Sequence, residues 1–368
     1  MSGAGAAVQL LALTGIPEVR AGDDLAALLT EALAAHGGLL DGDVLVVSSK
    51  VVSKALGLRA ADGAAPGTTG DREEHVLRHS RRVVAERRTP SGTTRIVEAL
   101  AGPVMAAAGV DASNTGPEGG ILLLPPDPDL AARELHTALG VLSPSASRFG
   151  VLLSDTAGRP WRDGQTDLAL GAHGVRVLDD LRGGTDADGR ALAVTARAVG
   201  DELAAAADLV KGKQDAVPAA LVRGLAHLVV EPGTGAAGAR ALVRTGPGDW
   251  FALGHREAVR AALGAPPGTA AADAVGVPSV RPEDPDERGG RAVRLALLGH
   301  PGALVEGTPA QGYAVSAADP VLAGRVAARL EVALHGEDLT ADVHVVAEGV
   351  GTRTSSLGWP YRPATGRW

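Results

Sequence analysis

The sequence of 368 residues contains no cysteine and few aromatic residues, only 2% of the total. The absence of cysteine excludes disulfides, thiolate metal sites and cysteine nucleophiles. No apolar run approaches the roughly 18 residues that a membrane span needs. The N-terminus also lacks a basic segment followed by a long apolar one, so no signal peptide is predicted. We therefore expect a cytoplasmic protein without a membrane partner.

Positive charge is not in excess either. The chain has 35 Lys and Arg against 43 Asp and Glu, which gives a formal net charge of −8. Binding to bulk nucleic acid needs a basic face, so no nucleic-acid partner is expected. The pattern G-x-x-x-x-G-K-[ST] is missing as well, and a bound nucleotide would not be held by a P-loop.

Hydrophobic residues make up 45% of the chain, and their spacing predicts helices and strands that alternate irregularly. Helices are predicted over residues 23–35, 73–88, 130–139, 196–210 and 321–334. Strands are predicted over residues 44–47, 121–124, 151–153, 175–178, 219–222, 292–298 and 343–347. Because no regular series of parallel βαβ units emerges, the pattern favours a mixed α/β or an α+β layer architecture.

Composition changes near residue 254. Six of the eight aromatic residues lie beyond residue 249, and Gly/Ala-rich and charged stretches follow. We predict an N-terminal domain over residues 1–253, a linker over 254–290 and a small C-terminal α/β domain of unknown function over 291–368.

The segment VVSSKVVSK, residues 46–54, predicts a strand that turns into a helix near Ser49. Lys50 and Lys54 would then share one helix face, where like charges repel. A bound polyanion would reverse this repulsion and would also meet the free N–H groups of the helix start. A solvated lysine face explains the same spacing equally well.

Two polar loops carry candidate metal ligands. Asp111, Ser113 and Asn114 follow an apolar segment, whereas Asp155 and Thr156 follow the predicted strand 151–153. A carboxylate next to a hydroxyl is a ligand set that holds magnesium beside nucleotide phosphates. Asp111 and Asp155 could together bind one or two hard cations, although an Asx-rich turn is the plainer interpretation of the first loop.

The loop after Thr156 is rich in cationic and aromatic groups. Arg159 and Arg162 could clamp phosphate oxygens, and Trp161 could either stack on a flat ring or pack under the loop. The basic stretch 78–95 is either a solvated face or a site for an anionic substrate.

Several long motifs occur in a fixed order over roughly residues 8–253. They are TGIPEVRAGDDLA, VVSSKVVSKALG, AAAGVDASNTG, LLLPPDPDLAA, SDTAGRPWRDGQTDLALGAHG, GDELAAAADLVKGK and PAALVRG. In these motifs the chain resembles the coenzyme F-420-0:L-glutamate ligase family, actinobacterial type. Members often carry a nitroreductase-like flavin domain after the ligase region, but the tail here is shorter and resembles no such domain.

The resemblance implies the mixed-sheet gamma-glutamyl ligase fold and a GTP-dependent amide ligase. The enzyme would join L-glutamate to the carboxylate of coenzyme F-420-0, or of its dehydro form, through an acyl phosphate. It would use Mg²⁺ or Mn²⁺ at two sites, with K⁺ as a further candidate ion, and would form a homodimer. A different class stays open: a catalytically silent nucleotide-binding module that acts through a partner-binding C-terminal region.

The resemblance also assigns roles to residues by position. The GTP-binding set is Ile16, Pro17, Glu18, Val19, Ser49, Lys54, Asn114, Gly212 and Lys213. Asp111 and Asp155 would hold one metal and Thr156 a second, and the catalytic set is Asp111, Asp155, Lys54 and Arg159. Relatives often supply a Gln to the second metal where this chain has Lys213, with Gln214 beside it. An ammonium cannot ligate a cation, so the ligands of the second metal stay open.

Overall fold

The structure is a computed structural model that describes residues 7–60, 69–212, 215–246 and 248–347. The chain divides into two compact units between Gly254 and His255. No helix within these ranges is both long and apolar enough to cross a membrane.

The first unit combines helices with short and long strands. Its helices are α1 (Leu25–Ala34), α2 (Ser49–Ala55), α3 (Thr69–Arg78), α4 (Pro128–Leu142) and α5 (Val199–Asp208). Its strands are β1 (Gln9–Ala12), β2 (Val44–Ser48), β3 (Arg59–Ala60), β4 (Ser80–Thr89), β5 (Gly92–Ala99), β6 (Val104–Ala106), β7 (Ile121–Leu122), β8 (Gly150–Arg159), β9 (Arg162–His173), β10 (Asp179–Asp180), β11 (Ala196–Arg197) and β12 (Ala219–Arg223).

A five-stranded sheet with the order β1-β12-β2-β8-β9 forms the centre of this unit. Strands β2 and β8 run parallel, and the other neighbours run antiparallel. Leu45 and Val47 face a core with α1 and α4, whereas Val44 and Val46 face a second core with α5. Both faces of β2 are therefore covered, which explains its unbroken apolar run.

The sheet brings three chain segments to one edge. Ser48 lies opposite Ser154 in the parallel pair, and its backbone N–H donates to the carbonyl of Pro218, just before β12 (2.8 Å). The end of β2, the outer part of β8 and the loop before β12 therefore meet at this edge. Ligands commonly bind at the carboxyl ends of parallel strands.

The helix predicted over 73–88 is wrong in its second half. Helix α3 ends at Arg78, and β4 begins at Ser80 and pairs with β5. Val83 and Val84 are both buried, and β-branched side chains of this kind suit a strand. Strands β4, β5 and β6 form a separate three-stranded sheet.

Two further predictions need correction in the first unit. Of residues 175–178, predicted as a strand, only Val175 pairs, in an isolated bridge to Val229. The helix predicted from residue 196 begins at Val199, because Ala196 and Arg197 instead pair with β10. Local apolar runs do not reveal such short pairings.

The second unit contains α6 (His255–Ala262), α7 (Ala270–Val275), α8 (Pro285–Leu297), β13 (Ala303–Thr308), β14 (Gly312–Ala317), α9 (Pro320–Gly336) and β15 (Val343–Val345). Residues 254–290, predicted as a linker, thus hold α6, α7 and the start of α8. Ala265 and Val275 are buried in the core of this unit. The strand predicted over 292–298 is wrong, because residues 292–297 belong to α8, which Asp284 caps at its N-terminus. The buried residues of this stretch follow helical spacing; they are Ala292, Leu295 and Ala296.

Close packing of the central sheet against α4 can be tested at Gly171 in β9. A Cβ atom there would lie 2.2 Å from the carbonyl oxygen of Pro128. We expect Gly171→Ala to lower the free energy of unfolding by about 1–3 kcal/mol, because backbone must shift to admit the methyl group. Urea unfolding measures the change. Gly158→Ala in β8, where a Cβ would meet nothing within 4 Å, is the matched control, and equal stability of the two variants would contradict the packing.

Candidate active site

A cavity of about 560 Å³ opens at the edge of the sheet where β2, β8 and the loop before β12 meet. Its walls come from the loop 16–19, the start of α2, the segment 105–116, the outer part of the β8–β9 hairpin, and residues 208–212 and 216–218. This volume is typical of a small-molecule site.

Most of the predicted site residues line this cavity. They are Ile16, Pro17, Glu18, Val19, Lys54, Asp111, Asn114, Asp155, Thr156 and Gly212. Ser49 lies behind the wall, where it is buried and bonded to Asp155. Lys213 and Gln214 lie outside the residues that the structure describes.

Asp155 is a carboxylate of the cavity without a cationic partner among the described side chains. It is partly buried on β8 and accepts a hydrogen bond from Ser49 Oγ (3.2 Å). Burial, together with the negative charges of Asp111 and Asp167, raises its pKa to about 6. A bound cation would remove this electrostatic penalty.

Asp111 has the opposite electrostatic environment. Lys50 Nζ lies 2.6 Å from its Oδ2, and the backbone N–H of Ser113 donates to its Oδ1 (2.7 Å). Burial by itself would raise the pKa of Asp111, but Lys50 and Ser113 leave it lowered. Asp111 is therefore held ionised. It lies near enough to Asp155 for its negative charge to help raise the pKa of Asp155.

Asp155 and Thr156 are neighbours on a strand, so their side chains point to opposite faces of β8. The hydrogen bonds agree with this geometry. Asp155 contacts Ser49 at the start of α2, whereas Thr156 Oγ1 donates to Asp167 Oδ1 on β9 (2.8 Å). One ion could not be held symmetrically by both residues, and any cations on the two faces would be separate.

Sequence reasoning missed two residues on the Thr156 face, Asp167 and Lys211. Both line the cavity, and Lys211 Nζ lies 2.5 Å from Asp167 Oδ2. Ser154 Oγ donates to the same carboxylate oxygen (2.7 Å). Asp167 could have been found from hairpin register, because β8 and β9 pair Thr156 directly with it.

Two further cations line the cavity. Lys54 is buried and its Nζ lies 2.5 Å from Glu18 Oε1. Arg72, on α3, donates through Nη2 to the carbonyl of Val110 (3.1 Å). Within the described part of the chain, Arg72 has no carboxylate partner.

The tip of the β8–β9 hairpin does not reach the cavity. Arg159, predicted to be catalytic, is not among the lining residues, because it sits at the far end of β8. Trp161 is 88% exposed at the turn, so the expectation that it packs under the loop is wrong. Arg162, at the start of β9, is also outside the cavity wall.

The described side chains include no group of three or more His, Asp or Glu placed to hold a metal ion. Asp111 and Asp155 nevertheless offer hard oxygen ligands of the kind that magnesium and manganese prefer. A metal in the cavity would therefore rest on these two carboxylates, with its remaining ligands from water or substrate.

Comparison with known proteins matches the same part of the chain. The family model for F420-0:Gamma-glutamyl ligase matches residues 15–224, more than half of the chain. The chain belongs to this family. The family predicted from the sequence motifs is thus confirmed, and every described residue of the cavity lies within the matched stretch.

Three archaeal relatives are named coenzyme F420:L-glutamate ligase. The protein of Methanopyrus kandleri is 42% identical over 247 residues, which is 64% of this chain and 93% of the relative. That of Halobacterium salinarum is 41% identical over 228 residues, or 58% and 85% of the two chains. That of Natronomonas pharaonis is 39% identical over 232 residues, or 59% and 86%.

The electrostatic penalty at Asp155 predicts a stability change that depends on pH. Because folding raises the pKa of Asp155 from 3.8 to about 6, the folded state binds this proton more tightly than the unfolded state does. The stability from that proton is present below about pH 4 and is lost as the pH rises through about 6. We expect Asp155→Asn to be more stable than the parent protein by about 3 kcal/mol at pH 8 without metal, and equal to it near pH 4.

Thermal unfolding in EDTA between pH 4 and pH 8 measures this difference. Asp163→Asn, at an exposed position of the same hairpin, is the control and should show no such trend. A parent protein that gained stability relative to Asp155→Asn as the pH rose would overturn the assignment.

Proposed function

We propose that the chain ligates L-glutamate to the carboxylate of coenzyme F-420-0, with GTP converted to GDP and phosphate. The observation that carries this proposal is the approach of Asp111 and Asp155 in one cavity within the stretch that matches the family. The names of the three relatives support the substrates. A cytoplasmic location is a further proposal from the sequence features, and a homodimer and a K⁺ requirement are proposals that rest on the resemblance alone.

The reaction requires activation of a carboxylate, because amide formation from a carboxylate and an amine in water is uphill. In the first step, a carboxylate oxygen of the coenzyme attacks the γ-phosphorus of GTP, and the bond to GDP breaks. In the second, the glutamate nitrogen attacks the acyl carbon, phosphate leaves and the amine loses a proton. Both reactants of the first step are anionic, so cations must lie beside them.

Asp111 and Asp155 would hold a divalent cation, Mg²⁺ or Mn²⁺, which would neutralise charge on the transferred phosphoryl group. The fit rests on Asp155, a partly buried carboxylate that has no cationic partner among the described side chains, beside an ionised Asp111. Lys50 fixes the carboxylate of Asp111 through its ion pair. Thr156, predicted as a ligand of a second metal, instead donates a hydrogen bond to Asp167.

The nucleotide is proposed to lie against the loop 16–19, Lys54, Asn114 and Gly212. Lys54 is held by Glu18 (2.5 Å) and brings a fixed positive charge to the cavity. Gly116 permits this arrangement, because a Cβ there would lie 2.3 Å from Glu18 Oε1. Arg159 does not line the cavity and is not retained in the catalytic set.

Arg72 is proposed to receive the carboxylate of the coenzyme. Lys50, Lys54 and Lys211 each already pair with a carboxylate, whereas Arg72 bonds only to the carbonyl of Val110 among described groups. Val110 immediately precedes Asp111, so an anion on Arg72 would lie near the proposed metal.

The role of Arg72 predicts a selective effect on substrate binding. We expect Arg72→Met to raise KM for the coenzyme about tenfold or more, since a charged hydrogen bond contributes about 1.5–3 kcal/mol. KM for GTP should stay within about twofold. Arg78→Met is the matched control, because Arg78 lies on the same helix and pairs with Glu74. Steady-state kinetics with each substrate varied in turn decides the matter, and a rise in KM for GTP alone would refute it.

The activity itself is tested by incubating the protein with coenzyme F-420-0, L-glutamate, GTP and Mn²⁺. We expect mass spectrometry to find coenzyme extended by glutamate, with one GDP released per glutamate added. Asp155→Asn should abolish the product. Nucleotide binding without any product would instead indicate the silent module, and GTP hydrolysis that ignored both co-substrates would count against the mechanism.

A further inference from the structure

The position predicted for a second metal already contains a positive charge. Thr156 Oγ1, the predicted ligand, donates to Asp167 Oδ1 (2.8 Å). On the other side of that carboxylate, Lys211 Nζ lies 2.5 Å from Oδ2 and 2.7 Å from Ser154 Oγ. The ammonium thus sits among oxygens of the kind that would surround a bound cation.

This cluster is closed to solvent and its hydrogen-bonding capacity is largely used. The side chains of Lys211 and Asp167 are 5% and 4% exposed. Both oxygens of Asp167 accept hydrogen bonds, one from Thr156 and the other from Ser154 and Lys211. Asp111 is also paired with a lysine, but its side chain is 34% exposed and can be reached by an ion with its water ligands, whereas Asp167 is enclosed by its partners and has no open side for a divalent cation.

The positive charge of Lys211 also disfavours a divalent cation on this face. A divalent cation bound to Asp167 or Thr156 would lie within a few ångströms of the Lys211 ammonium. The repulsion between a double and a single positive charge at such a distance is several kcal/mol in a partly buried setting. Lys50 would repel an ion at Asp111 in the same way, but there the carboxylate of Asp155 adds a second negative charge, whereas Thr156 adds only a hydroxyl. The residues present on this face therefore fit a fixed ammonium and do not fit a second metal.

We infer that Lys211 supplies the second cation of the site, and that the chain binds one divalent ion where the resemblance implies two. The inference deepens the proposed function, on which it rests for the divalent ion at Asp111 and Asp155. Lys211 stands at the end of the segment after α5, where its stem crosses from that segment to β8 and β9. It holds one charge beside the outer part of β8 whether or not metal is available.

The test counts bound Mn²⁺ per chain at pH 8 in the presence of GDP, by equilibrium dialysis with elemental analysis. The parent protein is expected to bind one ion. Lys211→Gln replaces the ammonium with an amide oxygen that can ligate a cation, and this variant is expected to bind two. Lys211→Arg keeps the charge and should bind one.

The double variant Asp167→Asn with Lys211→Gln removes the carboxylate that would hold the added ion, so its count should return to one. It also avoids an unpaired buried carboxylate and is the variant expected to fold most readily. If Lys211→Gln folds only when Mn²⁺ is added, that rescue also supports the inference. If it does not fold at all, the parent protein decides: one bound ion would uphold the inference, and two or none would overturn it.

The difference in bound Mn²⁺ between the parent protein and Lys211→Gln distinguishes a failure of this inference from a failure of the proposed function. If no metal binds at Asp111 and Asp155, the parent protein binds no ion and Lys211→Gln binds one, so the variant still gains one ion. Equal counts in the two folded proteins would overturn the role of Lys211 whatever the total.

Discussion

Ser48 and Ser154 lie opposite one another in the parallel pair of β2 and β8, and this register determines where the polar groups of the cavity fall. The pair is covered on both faces by apolar side chains, so a slip by one residue would turn buried valines toward the wrong core. With the register fixed, Ser49 begins α2 directly beside Asp155, and the hairpin carries Asp167 opposite Thr156. The packing of the sheet thus positions groups that contribute little to packing themselves.

The carboxylates of the cavity differ in how they are neutralised. Asp111, Asp167 and Glu18 each have a lysine within about 2.6 Å, whereas Asp155 accepts hydrogen bonds from the hydroxyl of Ser49 and the backbone N–H of Thr156. Asp155 therefore carries an electrostatic penalty that these three carboxylates do not, which is the expected arrangement where a ligand is to bind. A cavity with every carboxylate paired would be more stable, but it would have no reason to bind a cation.

Much of the first unit could be predicted from local sequence, because buried strands such as 44–47 and 219–222 read as apolar runs between turn residues. The same signal was misleading at 292–298, where a capped helix buries a similar run, and after Arg78, where β-branched residues continue as a strand. Of the site, Asp111, Asp155 and Thr156 were found from ligand chemistry and the resemblance. Asp167 and Lys211 were missed because their roles depend on hairpin register and on a contact between residues 44 positions apart, and neither leaves a local pattern.

Because strand geometry turns Asp155 and Thr156 to opposite faces of β8, the proposed site would have a different positive charge beside each of them. On the Asp155 face, an exchangeable divalent ion held by Asp111 and Asp155 would supply the positive charge. On the other it is covalently part of the chain, since Lys211 is tied to Asp167 and Ser154. A fixed ammonium cannot follow a leaving phosphate out of the cavity, whereas an ion that has water or substrate among its ligands can. In the proposed cycle the charge of Lys211 would stay in place, while the Asp155 face would gain and lose its charge with the substrates.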